Sequence, residues 1–244
     1  MAAGPDVVEA TRRPGRPKDD ARRRDLIRKT VRLLQSNSPA DLSRLDIARA
    51  AQVDPALIRY YFGDKNKLFG EVVQLIAAEI VAAGTSALRG PGTARERILR
   101  FVRGSHAVHM RHPHYHQLIL HQITNGRKAE IRRMRTEMSQ LLRKDLMGVL
   151  RDGEKAGELR VVDPGMLGIA IIGMCEYFSS SWGPVAALLD DESAHERAAS
   201  SEAYGLFIED FVLRALDPAS AGIERGAPAD ADVISAGRRS TRRP

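Results

Sequence analysis

The sequence predicts an all-α protein, and three observations carry that prediction. Apolar residues recur three and four positions apart along nearly every long segment, the spacing of one helix face. Ser43, Asp54 and Asp64 each stand just ahead of such a segment, where a helix N-cap belongs. No stretch shows the strict alternation of a half-buried strand, and there is no internal repeat.

Residues 1–20, rich in Gly, Pro and charge, read as a flexible basic arm. Helix one is expected from about Ala21 to Gln35. Leu26, Ile27, Thr30, Val31 and Leu34 form its apolar face, with arginines opposite. Helix two starts at Ser43, with Asp46 three residues on. That pair makes a capping box, and Leu42 is set to pack on Ile47. The small Ala48, Ala50 and Ala51 admit a closely crossing helix. Gln52 and Val53 form the turn. Asp54 caps helix three, and Pro55 takes its first position, where a missing amide costs nothing. Helix four is expected from Asp64 to about Ala83, with a break across Gly84 to Pro91. Helical patterns then run from Thr93 to His109, from Arg127 to Arg151, from Met166 to Trp182 and from Ser193 to Leu216. Pro113 forces a new start between the first two of these, and Gly153 and Gly157 end the second. Residues 217–244 have no periodic apolar face and read as a flexible tail.

The pair of short capped helices around a tight turn, followed at once by a third, is the layout of a helix-turn-helix. Leu57, Ile58 and Phe62 anchor its second helix, which leaves Pro55, Ala56, Arg59 and Tyr60 to face a major groove. Ser43 and Tyr61 join the candidate DNA contacts. Lys65, with the free amides opening helix four, makes a candidate phosphate clamp.

Charge points the same way. The chain's net charge is +7, and residues 12–32 alone hold ten Lys or Arg against three Asp, an excess equal to that total. Such a concentration suits a polyanion. Within it, Arg12, Arg13 and Arg16 belong to the run RRPGRP, narrow enough for an A·T-rich minor groove. The only cysteine, Cys175, cannot form a disulfide within the chain, and no signal-peptide pattern opens the sequence. The longest apolar stretch is interrupted by Glu176 and falls short of a membrane span. A cytoplasmic location without membrane contact is the expectation.

The segment from 21 to 70 resembles the tetracycline-repressor-like family of bacterial transcription regulators. Ser43, Ile47, Ala48, Ala51, Val53, Ile58, Tyr60, Tyr61, Phe62, Lys65, Leu68 and Phe69 carry the resemblance. Gln52 replaces the family's usual turn glycine, and Arg59 stands where a tyrosine is commonest. The resemblance implies a protein of nine or ten helices. Residues 21–68 would form a helix-turn-helix DNA-binding domain, and residues 69–216 a helical ligand-binding and dimerisation domain.

Six of the seven histidines fall between residues 106 and 121. Pro113 holds His112 extended, His114 and His116 leave on different sides of the next helix, and no acid or cysteine lies between 105 and 124. That arrangement favours ordinary surface or core histidines over an effector-pocket lining or a metal site, and no cofactor is expected. His106, Met110, His121, Met174, Tyr177 and Phe178 are the candidate effector contacts. The helix from Met166 to Trp182 is apolar nearly all round and needs cover beyond one subunit. Ile171, Met174, Phe178, Phe207 and Phe211 are therefore the candidate homodimer contacts.

The leading expectation is a homodimeric repressor that binds a palindromic double-stranded operator and is released by a small-molecule effector. A constitutive architectural DNA binder is the alternative, and a closed, partly apolar cavity in the second domain would separate the two. An enzyme is disfavoured, because no nucleophile with its base, no phosphate loop and no HExxH pattern is present.

Overall fold

The structure, a computed structural model, describes residues 17–190 and 194–220. These residues fold into ten α-helices and one π turn. Helix α1 spans Pro17–Leu33, α2 Arg44–Ala51, α3 Pro55–Phe62 and α4 Lys65–Arg89. Helices α5 (Ala94–Arg111) and α6 (Tyr115–Gln122) follow; the π turn Ile123–Arg127 then leads into α7 (Lys128–Lys155). Helices α8 (Pro164–Ser180), α9 (Trp182–Leu189) and α10 (Ala194–Leu216) complete the order.

Local chemistry sets most of the boundaries. The Ser43 hydroxyl accepts from the Asp46 amide, and the Asp46 carboxylate accepts from the Ser43 amide. The expected capping box thus opens α2. Asp54 accepts from the Ala56 amide and Asp64 from the Lys67 amide, which starts α3 and α4. A second capping box, Thr93 with Glu96, opens α5. Two expected ends move. Helix α4 runs through Gly84 and stops only at Gly90. Helix α7 runs through Gly153, where an added Cβ would stand 2.6 Å from Leu159 and 2.8 Å from Ala94. Gly153 therefore permits a close crossing rather than ending the helix. Helix α9 has no counterpart among the expected elements. Its eight residues are too few to show a period.

Two cores result, and α4 joins them. The first packs Leu26, Ile27 and Leu34 of the α1 region against Ile47, Ile58, Phe62, Leu68, Phe69 and Val72. Leu118 and Ile119 of α6 and Ile131 of α7 complete it. The second packs Leu88 of α4 with α5, the far half of α7, α8 and α10. By length and composition α4 is the one helix among the described residues that could cross a membrane. Here Leu68, Phe69, Val72, Val73 and Leu88 are all fully buried within the bundle, as in the central helix of a packed domain.

Candidate nucleic-acid interface and ligand cavity

Helices α2 and α3 meet at a turn whose hinge residue, Gln52, has a left-handed backbone (φ 55°). The Val53 amide returns to the Ala48 carbonyl at 3.0 Å, which closes the C-terminal end of α2. Lys29 of α1 donates to the Ala51 carbonyl at 2.9 Å and ties α1 to the same end. Arg23 pairs with Glu71 of α4 and lies 5.2 Å from the Phe62 ring centre. With Ile58 and Phe62 locked inward, the opposite face of α3 is free. Pro55, Ala56, Arg59 and Tyr60 are all exposed on it, Tyr60 at 72%.

The remaining candidate DNA contacts divide. Ser43 is exposed, but its hydroxyl is engaged with Asp46 in the cap. The Tyr61 hydroxyl faces Asp19 of α1 at 3.4 Å. The Lys65 ammonium donates to the Leu42 carbonyl at 2.6 Å and sits 5.3 Å from the Phe69 ring centre. That contact ties the start of α4 to the loop before α2. Arg12, Arg13 and Arg16 lie outside the described residues.

A cavity with about 180 Å³ of free volume opens among α4, α5, α6, α7 and α8. Ile80, Phe101, Val108, Ile119, Leu142 and Ile172 give it apolar walls. Polar groups interrupt them. Glu176 meets His116 Nδ1 at 2.7 Å, and Asp145 meets Arg89 at 2.8 Å. His112, buried at the end of α5, meets Glu79 at 3.0 Å. Tyr115 lines the cavity, and its buried hydroxyl has no hydrogen-bond partner among the described residues. Burial pushes that phenol up to about 12, so it keeps its proton.

The six expected effector contacts do not line this cavity; their neighbours do. His106 is turned toward α10, where its Nε2 lies 2.9 Å from the Ser201 carbonyl, and burial lowers its pKa. Phe178 is buried and stacks on Tyr204, with ring centres 4.3 Å apart. The Met174 carbonyl accepts from the Tyr204 hydroxyl at 3.2 Å, while Tyr177 is half exposed. His121 packs edge-on against Phe69, and its pKa is lowered by burial and by Lys65. Met110 is partly buried away from the cavity. The expected residues stand on three of the helices that border the cavity but are not among its lining residues. Large apolar side chains mark a packed face, whereas this space exists where small residues leave room. Gly84, Gly104, Ser105, Ser139, Ser179 and Ser180 all border it, and that run of small residues inside helices is the signal that sequence reasoning missed.

The expected dimer contacts differ in their exposure within one chain. Ile171 and Phe178 are 0% and 2% exposed within one chain and have no surface to offer a partner, and Met174 is partly buried. Phe207 and Phe211 remain exposed, at 59% and 51%. The free apolar face of α8 is instead Met166, Ile169 and Tyr177. Among the described residues no group of His, Cys, Asp and Glu could hold a metal ion.

Two family models match the chain. One, described as the N-terminal unit of bacterial regulatory proteins of the tetR family, matches residues 26–72. The other, a tetracyclin repressor-like C-terminal domain, matches residues 91–182. The chain belongs to the tetracycline-repressor-like family. The helix-turn-helix falls in the first match, and most of the cavity walls in the second. A curated relative, the HTH-type transcriptional regulator BetI of Rhizobium meliloti, is 25% identical over 134 residues. That stretch is 54% of this chain and 66% of the relative, just short of two thirds of its length. Among solved structures, a TetR/AcrR-family regulator from Thermobifida fusca matches with a TM-score of 0.58 at 20% identity, covering 79% of this chain and 97% of the other. A transcriptional regulator from Saccharomonospora viridis, solved in complex with choline, matches with a TM-score of 0.60 at 17% identity, covering 81% and 98%. At these identities the structural matches speak for the fold of this TetR-like chain.

Proposed function

We infer that this protein is a ligand-released transcriptional repressor that works in the cytoplasm. It binds a palindromic operator as a homodimer, with α3 of each subunit in a major groove. The observation that carries the reading is the α3 surface. A helix held by two buried anchors on one side presents Pro55, Ala56, Arg59 and Tyr60 on the other, within a family of regulators. The cavity supports effector control over constitutive binding, because DNA packaging alone requires no partly apolar space between helices. Ile119 links the two, since it lines the cavity and belongs to the core that seats the reading head. A bound effector that shifts α6 would shift that core, change the spacing of the two heads and lower operator affinity.

The basic arm with Arg12, Arg13 and Arg16 is assigned to the flanking minor groove. Deleting residues 1–16 should weaken binding most on A·T-rich flanks and less at high salt, with thermal unfolding nearly unchanged. Selection of bound fragments from a random duplex pool, followed by a compound screen for release, tests the whole reading. Enrichment of a two-fold symmetric site is expected. Failure to enrich any sequence would overturn it.

A further inference from the structure

We propose that the cavity takes a small molecule with an apolar body and an anionic end group, received by the buried Tyr115 hydroxyl and by the exposed Arg135 guanidinium at the cavity mouth. This deepens the effector reading above and rests on it.

The charges around the cavity are unequally matched. Each acid bordering it already has a partner: Glu176 meets His116, a cation only when protonated, and Asp145 meets Arg89. Glu79, next to the wall residue Ile80, holds both Arg111 and His112. Arg135 lines the same space, is exposed at its rim, and makes no ion pair or hydrogen bond among the described residues. The Tyr115 hydroxyl is the second unmatched group. It is buried without a partner among the described residues, and the charges it feels are those of Arg135 and Glu176, both cavity-lining. A buried phenol that keeps its proton is a donor in search of an acceptor. A guanidinium lining the same cavity selects an acceptor with negative charge.

The surface outside reinforces the choice. Arg135 and Ser139 border both the cavity and an adjoining groove on α7. Lys128, Arg132 and Arg143 also line that groove, Arg143 lying 4.0 Å from Asp163, and among the described residues no Asp or Glu lines it. A groove of one sign raises the local concentration of counter-charged ligands at the entrance. Beyond the mouth the walls become apolar with Phe101, Val108, Leu142 and Ile172. A carboxylate and a phosphate monoester share the required chemistry, and an amine or quaternary ammonium lacks it.

The test is calorimetric titration of the full chain with octanoate, octyl phosphate, octanol, octylamine and choline. At least one of the two anions should bind about tenfold or more tightly than octanol and octylamine. The stronger of the two identifies the head group. Tyr115→Phe and Arg135→Gln should each weaken the anion several-fold and leave octanol unchanged. Tyr115→Phe removes only an unpartnered hydroxyl, so its thermal unfolding should not fall, which guards against a folding artefact. Equal binding of all five, preference for octylamine or choline, or no anion binding would overturn the proposal. The operator assay separates the two readings. Anion binding without DNA release would sink effector release and leave this site standing. Intact operator binding with no anion preference would do the reverse.

Discussion

At position 52 the chain adopts a left-handed backbone with a glutamine, where the family's usual residue is glycine. A side chain with a Cβ is strained there, whereas glycine is at ease but gives up more freedom on folding. The balance favours glycine, so Gln52→Gly should raise stability by about 0.5–1 kcal/mol. A higher urea midpoint with unchanged slope would show it; a lower midpoint would mean that the glutamine side chain has a role. Residues on the two helices that follow should separate in another assay. Arg59 is exposed on the α3 face, so Arg59→Ala should cost specific affinity and relax sequence preference by about 1–3 kcal/mol at one base pair. Lys65 is tied to Leu42 inside the head. Lys65→Ala should remove that tie, loosen the head and weaken specific and random duplexes alike. Titrations at several salt concentrations check both, and unchanged affinity in both variants would refute the assignment.

Helices α5, α8 and α10 meet through rings. Phe178 stacks on Tyr204, and the His106 ring stands 5.8 Å from one and 6.0 Å from the other. Burial disfavours the imidazolium and sets the pKa of His106 below its ordinary 6.5, with Ser201 and Glu209 opposing and His109 assisting. The unfolded chain therefore holds more protons than the folded one as pH falls below about 6.5, and stability falls with it. The urea midpoint should be lower at pH 5.5 than at 7.5, and His106→Gln should shrink that difference. An unchanged difference would place the titration elsewhere. This contact also shows what a sequence can reveal. The caps at Ser43, Asp54 and Asp64 and the apolar face of α1 were legible, because each is written within a few neighbouring residues. The cavity was not, because it depends on where five helices fail to touch. His106 and Phe178 have the residue types expected of a ligand site, yet their helix phase turns them into the α5–α8–α10 contact. Tyr115 and Arg135, which do border the cavity, carried no local mark.

For the whole molecule the exposed apolar faces of α8 and α10 matter most. Met166, Ile169 and Tyr177 recur at helical spacing on one, as do Leu206, Phe207 and Phe211 on the other. Apolar faces of this kind suit a permanent interface of the split-core type. Sedimentation at micromolar concentration should give about 54 kDa, twice the 26.9 kDa of one chain. Phe207→Glu with Phe211→Glu should give the monomer mass while the helical signal persists. Wild-type sedimentation as a monomer would remove the basis for symmetric operator reading.

The head of this protein is not a detachable part. Leu118, Ile119 and Ile131, far along the chain, fill the interior of its first four helices alongside Phe69 and Val72. Anyone transplanting residues 17–72 onto a foreign sensor would leave those apolar side chains without their lids. A working chimera would have to import the α6 and α7 contacts as well, or redesign the recipient's surface to imitate them.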